Sequence, residues 1–339
     1  MYKGFSTVPV NMGVTMKATN LIIFFIFIRI FLALPAFAQI DSKLIEKAEN
    51  GDVAAQYSLG LMYIQGDGVT KDSKKAFEWW TKAANQGDVN AQYNLGIMYA
   101  GGRDIPQDYE KAFEWYAKAA NQGDADAQYN LGFMYHKGEG ISQDYKKAIE
   151  WYTRAANKGY VKAQRNLGVI YANGEGVPQD FKKAFEWYTK AANKDYADAQ
   201  FNLGLMYANG EYVPKDNKKA FEWWTKAANK GNADAQHNLG VIYANGKGVP
   251  QDHKKAFEWY VKAANQGHTG AQNNLGVMYV QGKGAPEDVV TGCGWIYLSN
   301  DFGNGEACDK VLTHPQVTSS LRLMDELKKK IVNIPPSTP

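Results

Sequence analysis

The chain has 339 residues, 45% of them hydrophobic and 22% charged, and its formal net charge is +3. This excess comes from Lys3, Lys17 and Arg29, because the rest of the chain contains equal numbers of basic and acidic residues. A chain without a basic excess cannot neutralise many phosphates, so nucleic acid is not expected as a partner.

Residues 1–38 are predicted to be a signal peptide. Lys17 precedes an apolar run from Leu21 to Leu34, and A-F-A at positions 36–38 fits a cleavage motif. A membrane-spanning helix needs roughly 20 apolar residues, so no stable membrane span is expected after cleavage. We expect cleavage after Ala38 and a mature protein in the periplasm or outside the cell.

The segment from residue 52 to residue 303 repeats seven times with a period of 36 residues. Each copy contains two segments of helical periodicity, here called helix A and helix B, separated by a Gly-rich loop. Asp108 is a suitable N-cap for a helix B, and Gly123 can adopt the left-handed conformation that ends it. The G-x-G loops follow a helix and lack the P-loop Lys-Ser, so they are predicted to be helix ends. Residues 39–51 predict a capping helix before the first copy.

The A-Q-x-N-L-G-x-M-Y and K-A-F-E-W-Y-x-K-A-A-N-x-G segments at this period resemble Sel1-like repeats of the tetratricopeptide-like class. The resemblance implies an all-α, right-handed superhelical solenoid of antiparallel helix pairs that binds a protein or peptide and needs no cofactor. Some cysteine-rich relatives are linked to penicillin binding and β-lactam hydrolysis, which stays an alternative function. No enzymatic activity is expected, because S-x-x-K, G-x-S-x-G and H-E-x-x-H motifs are absent.

The residue after each A-Q pair points away from the core of its helix pair and varies while its neighbours hardly change. Because A helices line the concave side of such solenoids, we expect this position, here called the inner row, to bind the partner. The alternative is that these side chains only pack between neighbouring A helices. The inner row consists of Tyr57, Tyr93, Tyr129, Arg165, Phe201, His237 and Asn273.

The position after the inner row is almost always asparagine. An amide offers a donor and an acceptor, so this asparagine ladder can pair with a peptide backbone. It can also bond to neighbouring helices, and the uniformity of the position favours that structural interpretation. The ladder consists of Asn94, Asn130, Asn166, Asn202, Asn238 and Asn274.

A row of glutamates on the B helices is predicted to be a solvated outer surface. A structural role in an envelope assembly, bound through this convex face, is the third candidate function. The five histidines occupy different positions in the repeat without metal-ligand spacing, so no metal site is expected. The outer row consists of Glu78, Glu114, Glu150, Glu186, Glu222 and Glu258.

Two copies depart from the pattern. Asp195 replaces the glycine that ends helix B elsewhere, which predicts a left-handed conformation for an aspartate. In the seventh copy, Gly292 and Gly294 are expected to weaken helix B. Residues 304–339 are predicted to form a partial helix A, a capping helix with Leu321 and Leu327 in its apolar stripe, and a loose tail.

Cys293 and Cys308 are the only cysteines. In cysteine-rich relatives a bridge joins helix B to the following helix A, at positions that the resemblance places at Asn300 and Cys308. Cys293 lies about two helical turns before Asn300, a displacement of roughly 10 Å, whereas bridged Cα atoms lie within about 7 Å. Regular stacking therefore disfavours the bridge, although the irregular seventh copy leaves it open.

Overall fold

A computed structural model describes residues 41–102, 104–299 and 302–332, and within those ranges the chain is helical with no strand. The predicted signal peptide lies outside the described residues. Two compact units divide at Gln107. The first contains α1 (Ser42–Glu49), α2 (Val53–Gln65), α3 (Ser73–Asn85) and α4 (Val89–Gly101). The second contains α5 (Tyr109–Asn121), α6 (Ala125–Lys137), α7 (Tyr145–Asn157), α8 (Val161–Asn173), α9 (Phe181–Ala192), α10 (Ala197–Asn209), α11 (Asn217–Asn229), α12 (Ala233–Asn245), α13 (His253–Asn265), α14 (Thr269–Val280), α15 (Val289–Ser299), α16 (Phe302–Val311) and α17 (His314–Val332).

The helices form an α-solenoid in which consecutive helices of each unit pack side by side. The even-numbered helices α2 to α14 are the A helices, and the odd-numbered helices α3 to α15 are the B helices. The core of each pair consists of small and branched side chains, such as Ala163 and Leu167 of α8 with Ala184 of α9, all almost fully buried. None of the described helices combines the length and hydrophobicity of a membrane span.

Local signals set the helix ends as predicted. The Asp108 carboxylate accepts a hydrogen bond from the Lys111 backbone N–H at 2.9 Å and so caps α5. At the other end of a helix A, Gly138 has a φ of 76° and donates its N–H to the Met134 carbonyl. Asp195 has a φ of 61°, which confirms the left-handed conformation predicted from its place in the repeat.

A buried glutamine joins each helix A to the preceding helix B. The Gln236 Nε2 atom, for example, donates to the Ala228 carbonyl at 3.1 Å, eight residues earlier in the chain. The same carbonyl accepts from the Gly231 N–H at 3.0 Å, so the glutamine adds a second hydrogen bond to an acceptor at the end of helix B. The same glutamine contact recurs in every copy, through Gln56, Gln92, Gln128, Gln164, Gln200, Gln236 and Gln272.

The seventh copy was expected to have a weakened helix B. Helix α15 is shorter than a regular helix B but runs unbroken through Gly292 and Gly294, and both glycines allow neighbouring helices to approach closely. A Cβ atom on Gly292 would lie 2.7 Å from the Gly276 carbonyl oxygen of α14. A Cβ atom on Gly294 would lie 3.2 Å from the Ser320 carbonyl oxygen of α17. The predicted stripe of α17 is only partly buried, since Leu327 is buried and Leu321 is exposed.

The two cysteines form a disulfide, contrary to the geometry expected from regular stacking. Their Cα atoms are 5.7 Å apart, and both side chains are buried. The reason is that α15 has 11 residues, whereas a regular helix B such as α13 has 13. Helix α16 therefore begins earlier, at Phe302, and both cysteines lie six residues from the α15–α16 connection. Antiparallel helices bring such equidistant residues face to face.

Replacing both Cys293 and Cys308 by Ala is expected to destabilise the carboxyl-terminal helices locally. The bond spans a sequence separation of 15 residues, and closing a loop of that size stabilises by about 3 kcal/mol. Amide hydrogen exchange should accelerate in α16 and α17 of the variant, while α8, which lies several copies away, serves as the internal control. Unchanged exchange in α16 would contradict this account.

Candidate functional site

The inner-row side chains are half-buried, and four of them, Tyr57, Tyr129, Phe201 and His237, lie against an aromatic ring of their own helix B. In the first unit, Tyr57 stacks on Trp80 with ring centroids 6.5 Å apart. In the second unit, Phe201 lies 6.5 Å from Trp224, and Tyr129 lies 5.7 Å from Tyr152. The inner row therefore packs within its copy and also borders solvent, so the two predicted roles are not exclusive.

The asparagine ladder lies beside the inner row of the preceding copy. Burial raises the pKa of Tyr57 and of Tyr129, and the side chains of Asn94 and Asn166 oppose these two shifts. Asn274 Nδ2 donates to His237 Nε2 at 3.2 Å. These contacts are those of the structural interpretation, in which the ladder connects successive A helices.

A pair of stacked histidines lies at the boundary of the sixth and seventh copies. The rings of His237 and His268 have centroids 4.4 Å apart. His268 Nδ1 accepts from the Ala271 N–H at 3.0 Å, and its Nε2 lies 3.3 Å from Asp234 Oδ1. Burial, and then the neighbouring His268, lower the pKa of His237 below its ordinary value of 6.5, although contacts to Asn238 and Asp234 oppose this shift.

The fourth copy replaces the ring of the inner row with Arg165. Its Nη1 atom donates to Asn166 Oδ1 at 3.2 Å, and its Nε atom is buried without a hydrogen-bond partner among the described residues. Tyr160 and Tyr196 precede α8 and α10 at the position where the other five A helices have a capping aspartate, asparagine or histidine, and neither tyrosine side chain caps its helix. Burial raises the pKa of Tyr196 to about 12, and the positive charge of Arg165 opposes that shift.

Two pockets occur at corresponding places on the helix-A side, two copies apart. The first, of about 460 Å³, lies between α8, α9 and α10 and is lined by Tyr188, Asn202 and Glu211 among others. The second, of about 380 Å³, lies between α12, α13 and α14 and is lined by Tyr260 and Asn274 among others. Both pockets therefore border the ladder position.

The glutamates of the outer row lie on the surface of the B helices. All six glutamates of the outer row are exposed, as a solvated surface requires. Basic side chains of the B helices instead cover neighbouring tryptophans, as Lys190 does with its Nζ atom 3.9 Å from the centroid of Trp187. No cluster of three metal-ligating side chains occurs among the residues that the structure describes.

Sequence reasoning located the inner row and the ladder but missed three features. The first is the set of buried glutamines. The A-Q pair recurs in every copy of the sequence, but the polarity of glutamine did not suggest that its side chain is buried. The tyrosines at positions 160 and 196 were visible as departures from the capping aspartate. Only the structure shows that Asn202 Nδ2, unlike its counterpart in Asn274, is buried without a hydrogen-bond partner among the described residues.

The stacked helix pairs and the variable inner row are those of α-solenoid repeat proteins. The Sel1 repeat model matches residues 53–88, 89–124, 125–160, 161–196, 197–232, 233–268 and 269–298, so the chain belongs to the Sel1 repeat family. Its structure is similar to that of a Sel1 repeat protein from Oxalobacter formigenes, with 34% identity, a TM-score of 0.67, and coverage of 83% of this chain and 78% of that chain.

A second similar structure is c5321, described as a protective antigen present in uropathogenic Escherichia coli strains that displays this repeat fold. It is 34% identical, with a TM-score of 0.55 and coverage of 85% of this chain and 71% of that chain. A comparison with curated protein sequences finds no match.

Replacing His237 by Asn, the residue of the seventh copy, is expected to reduce the loss of stability in mild acid. Because the folded-state pKa of His237 lies below 6.5, the unfolded chain binds the proton first, and stability is lost as the pH falls below that value. The melting temperature of the parent should therefore fall more between about pH 7.5 and about pH 5.5 than that of the variant. Equal falls would contradict this assignment.

Proposed function

We propose that this protein is an exported scaffold that holds a peptide, or an extended segment of a partner protein, on its helix-A face. The observation that carries the proposal is the inner row of the second unit. There, helix pairs with nearly the same buried residues carry half-exposed side chains of four different kinds at one repeated position. These are Tyr129, Arg165, Phe201 and His237. Recognition of a particular partner requires side chains that differ from copy to copy, held in place by buried residues that do not.

The chemistry of this face suits a protein partner. Aromatic and arginine side chains are the usual anchors of protein interfaces, because they combine a large apolar surface with a polar tip. The pockets of about 460 Å³ and about 380 Å³ beside the ladder give space for side chains of the partner. Sel1 repeat proteins generally act as interaction scaffolds, and no catalytic role is proposed for this chain.

Export is supported by the predicted signal peptide and by the buried disulfide, because disulfides persist mainly in oxidising compartments. Fractionation of the source cells, followed by determination of the protein's amino terminus, tests this part. We expect an amino terminus at Gln39 in the periplasmic or secreted fraction. A protein found in the cytoplasm with its leader intact would contradict export.

The binding face can be tested by capturing partners from an envelope extract with three forms of the full-length protein. An inner-row variant carries Tyr129→Asn, Phe201→Asn and His237→Asn, because Asn273 already occupies this position in the seventh copy. A matched outer-row variant carries Glu150→Lys, Glu186→Lys and Glu222→Lys. The partner should be captured by the parent and the outer-row variant, and at least about tenfold less by the inner-row variant, as loss of interface anchors predicts.

Circular dichroism and thermal melting establish that each variant is folded at the assay temperature. A partner that the inner-row variant retains and the outer-row variant loses would reject the helix-A face and favour an assembly role through the B helices. Absence of any captured partner would also count against the proposal.

A further inference from the structure

The hydrogen bonds between successive A helices are interrupted at Arg165. An arginine side chain has donors only, so it cannot accept from the asparagine of the next copy. Asn202 Nδ2 is accordingly buried with no hydrogen-bond partner among the described residues. The Phe201 side chain also offers no acceptor to the asparagine of the next copy, Asn238. That asparagine, however, bonds His237 of its own copy and has no buried atom without a partner. Where the inner row offers an acceptor the bond forms, as between His237 and Asn274 at 3.2 Å, and the hydroxyls of Tyr57 and Tyr129 offer an acceptor in the same way.

The guanidinium group of Arg165 is itself short of acceptors. Its Nε atom is buried without a partner, and it forms no ion pair within the described part of the chain. The carboxylates nearby are engaged by other groups. Glu175 Oε2 lies 2.8 Å from His136 Nε2, and Asp198 Oδ1 accepts from an asparagine amide at 2.9 Å. A buried donor without an acceptor costs about 1–3 kcal/mol, so these donors favour an external acceptor.

Of the two residues with an unpaired donor, Asn202 borders a space that a ligand can enter. Asn202 and Tyr188 both line the pocket of about 460 Å³, and the charge of Arg165 lowers the pKa of Tyr188 against the larger effect of burial. Glu211 lines the same pocket, but it lies nine residues beyond Asn202 and accepts from Asn209 Nδ2 at 3.1 Å. In the corresponding pocket two copies later, Asn274 is already bonded to His237.

We propose that Arg165 and Asn202 bind the carboxylate of an aspartate or glutamate side chain in the peptide held on the helix-A face. A carboxylate offers only acceptors, and its pairing with a guanidinium is the strong, charge-assisted form of hydrogen bond. This inference rests on the proposed function, since it concerns one position of the same face.

An acidic side chain fits this place better than the carboxyl terminus of a peptide. Arg165 lies in the interior of the row, with Tyr129 in the preceding copy and Phe201 and His237 in the following copies. A peptide that ended at Arg165 would leave the inner row unoccupied on one side. A peptide that continues in both directions brings a side chain, rather than its end, to the unpaired donors.

Selection from a displayed library of random peptides, flanked by constant sequences so that no free carboxyl terminus is presented, tests the inference. The parent protein and the Arg165→Tyr variant are used in parallel. The substitution removes the charge and supplies a hydroxyl oxygen as an acceptor for Asn202, as Tyr129 offers one to Asn166. The melting temperature of the variant should therefore be no lower than that of the parent. The parent should enrich peptides with an aspartate or glutamate at one fixed position, and the variant should enrich peptides without that preference.

A synthetic peptide from the parent selection, blocked at both ends, then quantifies the contact. Changing its acidic residue to the amide should weaken binding to the parent about tenfold or more, as expected for a hydrogen bond to a charged group. The same change should have little effect with the Arg165→Tyr variant. Equal weakening with both proteins would overturn the inference, and so would binding that requires a free carboxyl terminus.

The outcomes separate this inference from the proposed function. Peptides enriched without an acidic preference, or with a preference that Arg165→Tyr keeps, would overturn the carboxylate site and leave the peptide-binding face standing. Failure of both proteins to enrich any peptide would overturn both.

Discussion

The structure depends on the close approach of the helix-A backbone to an aromatic ring of helix B. A Cβ atom on Gly60 would lie 2.2 Å from Trp80 Nε1, so only glycine allows the ring to reach the backbone. The indole then donates to the Tyr57 carbonyl at 3.2 Å, and Trp224 donates to the Phe201 carbonyl at 3.1 Å. In these two copies the ring holds the backbone of the inner-row residue and also contacts its side chain, so both copies present that residue in the same place.

The residues that stabilise the fold differ from those that vary between copies. The glycine and the buried glutamine recur in all seven copies and the ring in the first six, whereas the inner row changes from tyrosine to arginine, phenylalanine and histidine. The changes have structural consequences for the ladder asparagine of the next copy. His237 accepts a hydrogen bond from Asn274, whereas Arg165 leaves Asn202 Nδ2 unpaired. An external hydrogen-bond acceptor is therefore expected to bind most favourably beside Arg165 and Asn202, where the internal hydrogen bond is missing.

Much of the fold could be predicted from the sequence, because the signals are local and repeated. The caps at Asp108 and Gly138 and the left-handed Asp195 follow from residue chemistry at known positions. The disulfide could not be predicted in the same way. It depends on the early end of α15 at Ser299, which changes which residues face each other across the next connection. The inner row could be chosen from the sequence by its variation at a fixed place in the repeat, but its packing on rings of helix B required the structure.

Site-specific photocrosslinking tests the central claim most directly. A photoreactive phenylalanine analogue replaces Phe201 in the inner row of one form and Glu222 in the outer row of another, and both forms are illuminated in the source cells. The account predicts a covalent adduct with a partner from position 201 and none from position 222. An adduct formed only from position 222 would place the partner on the B helices and contradict the account.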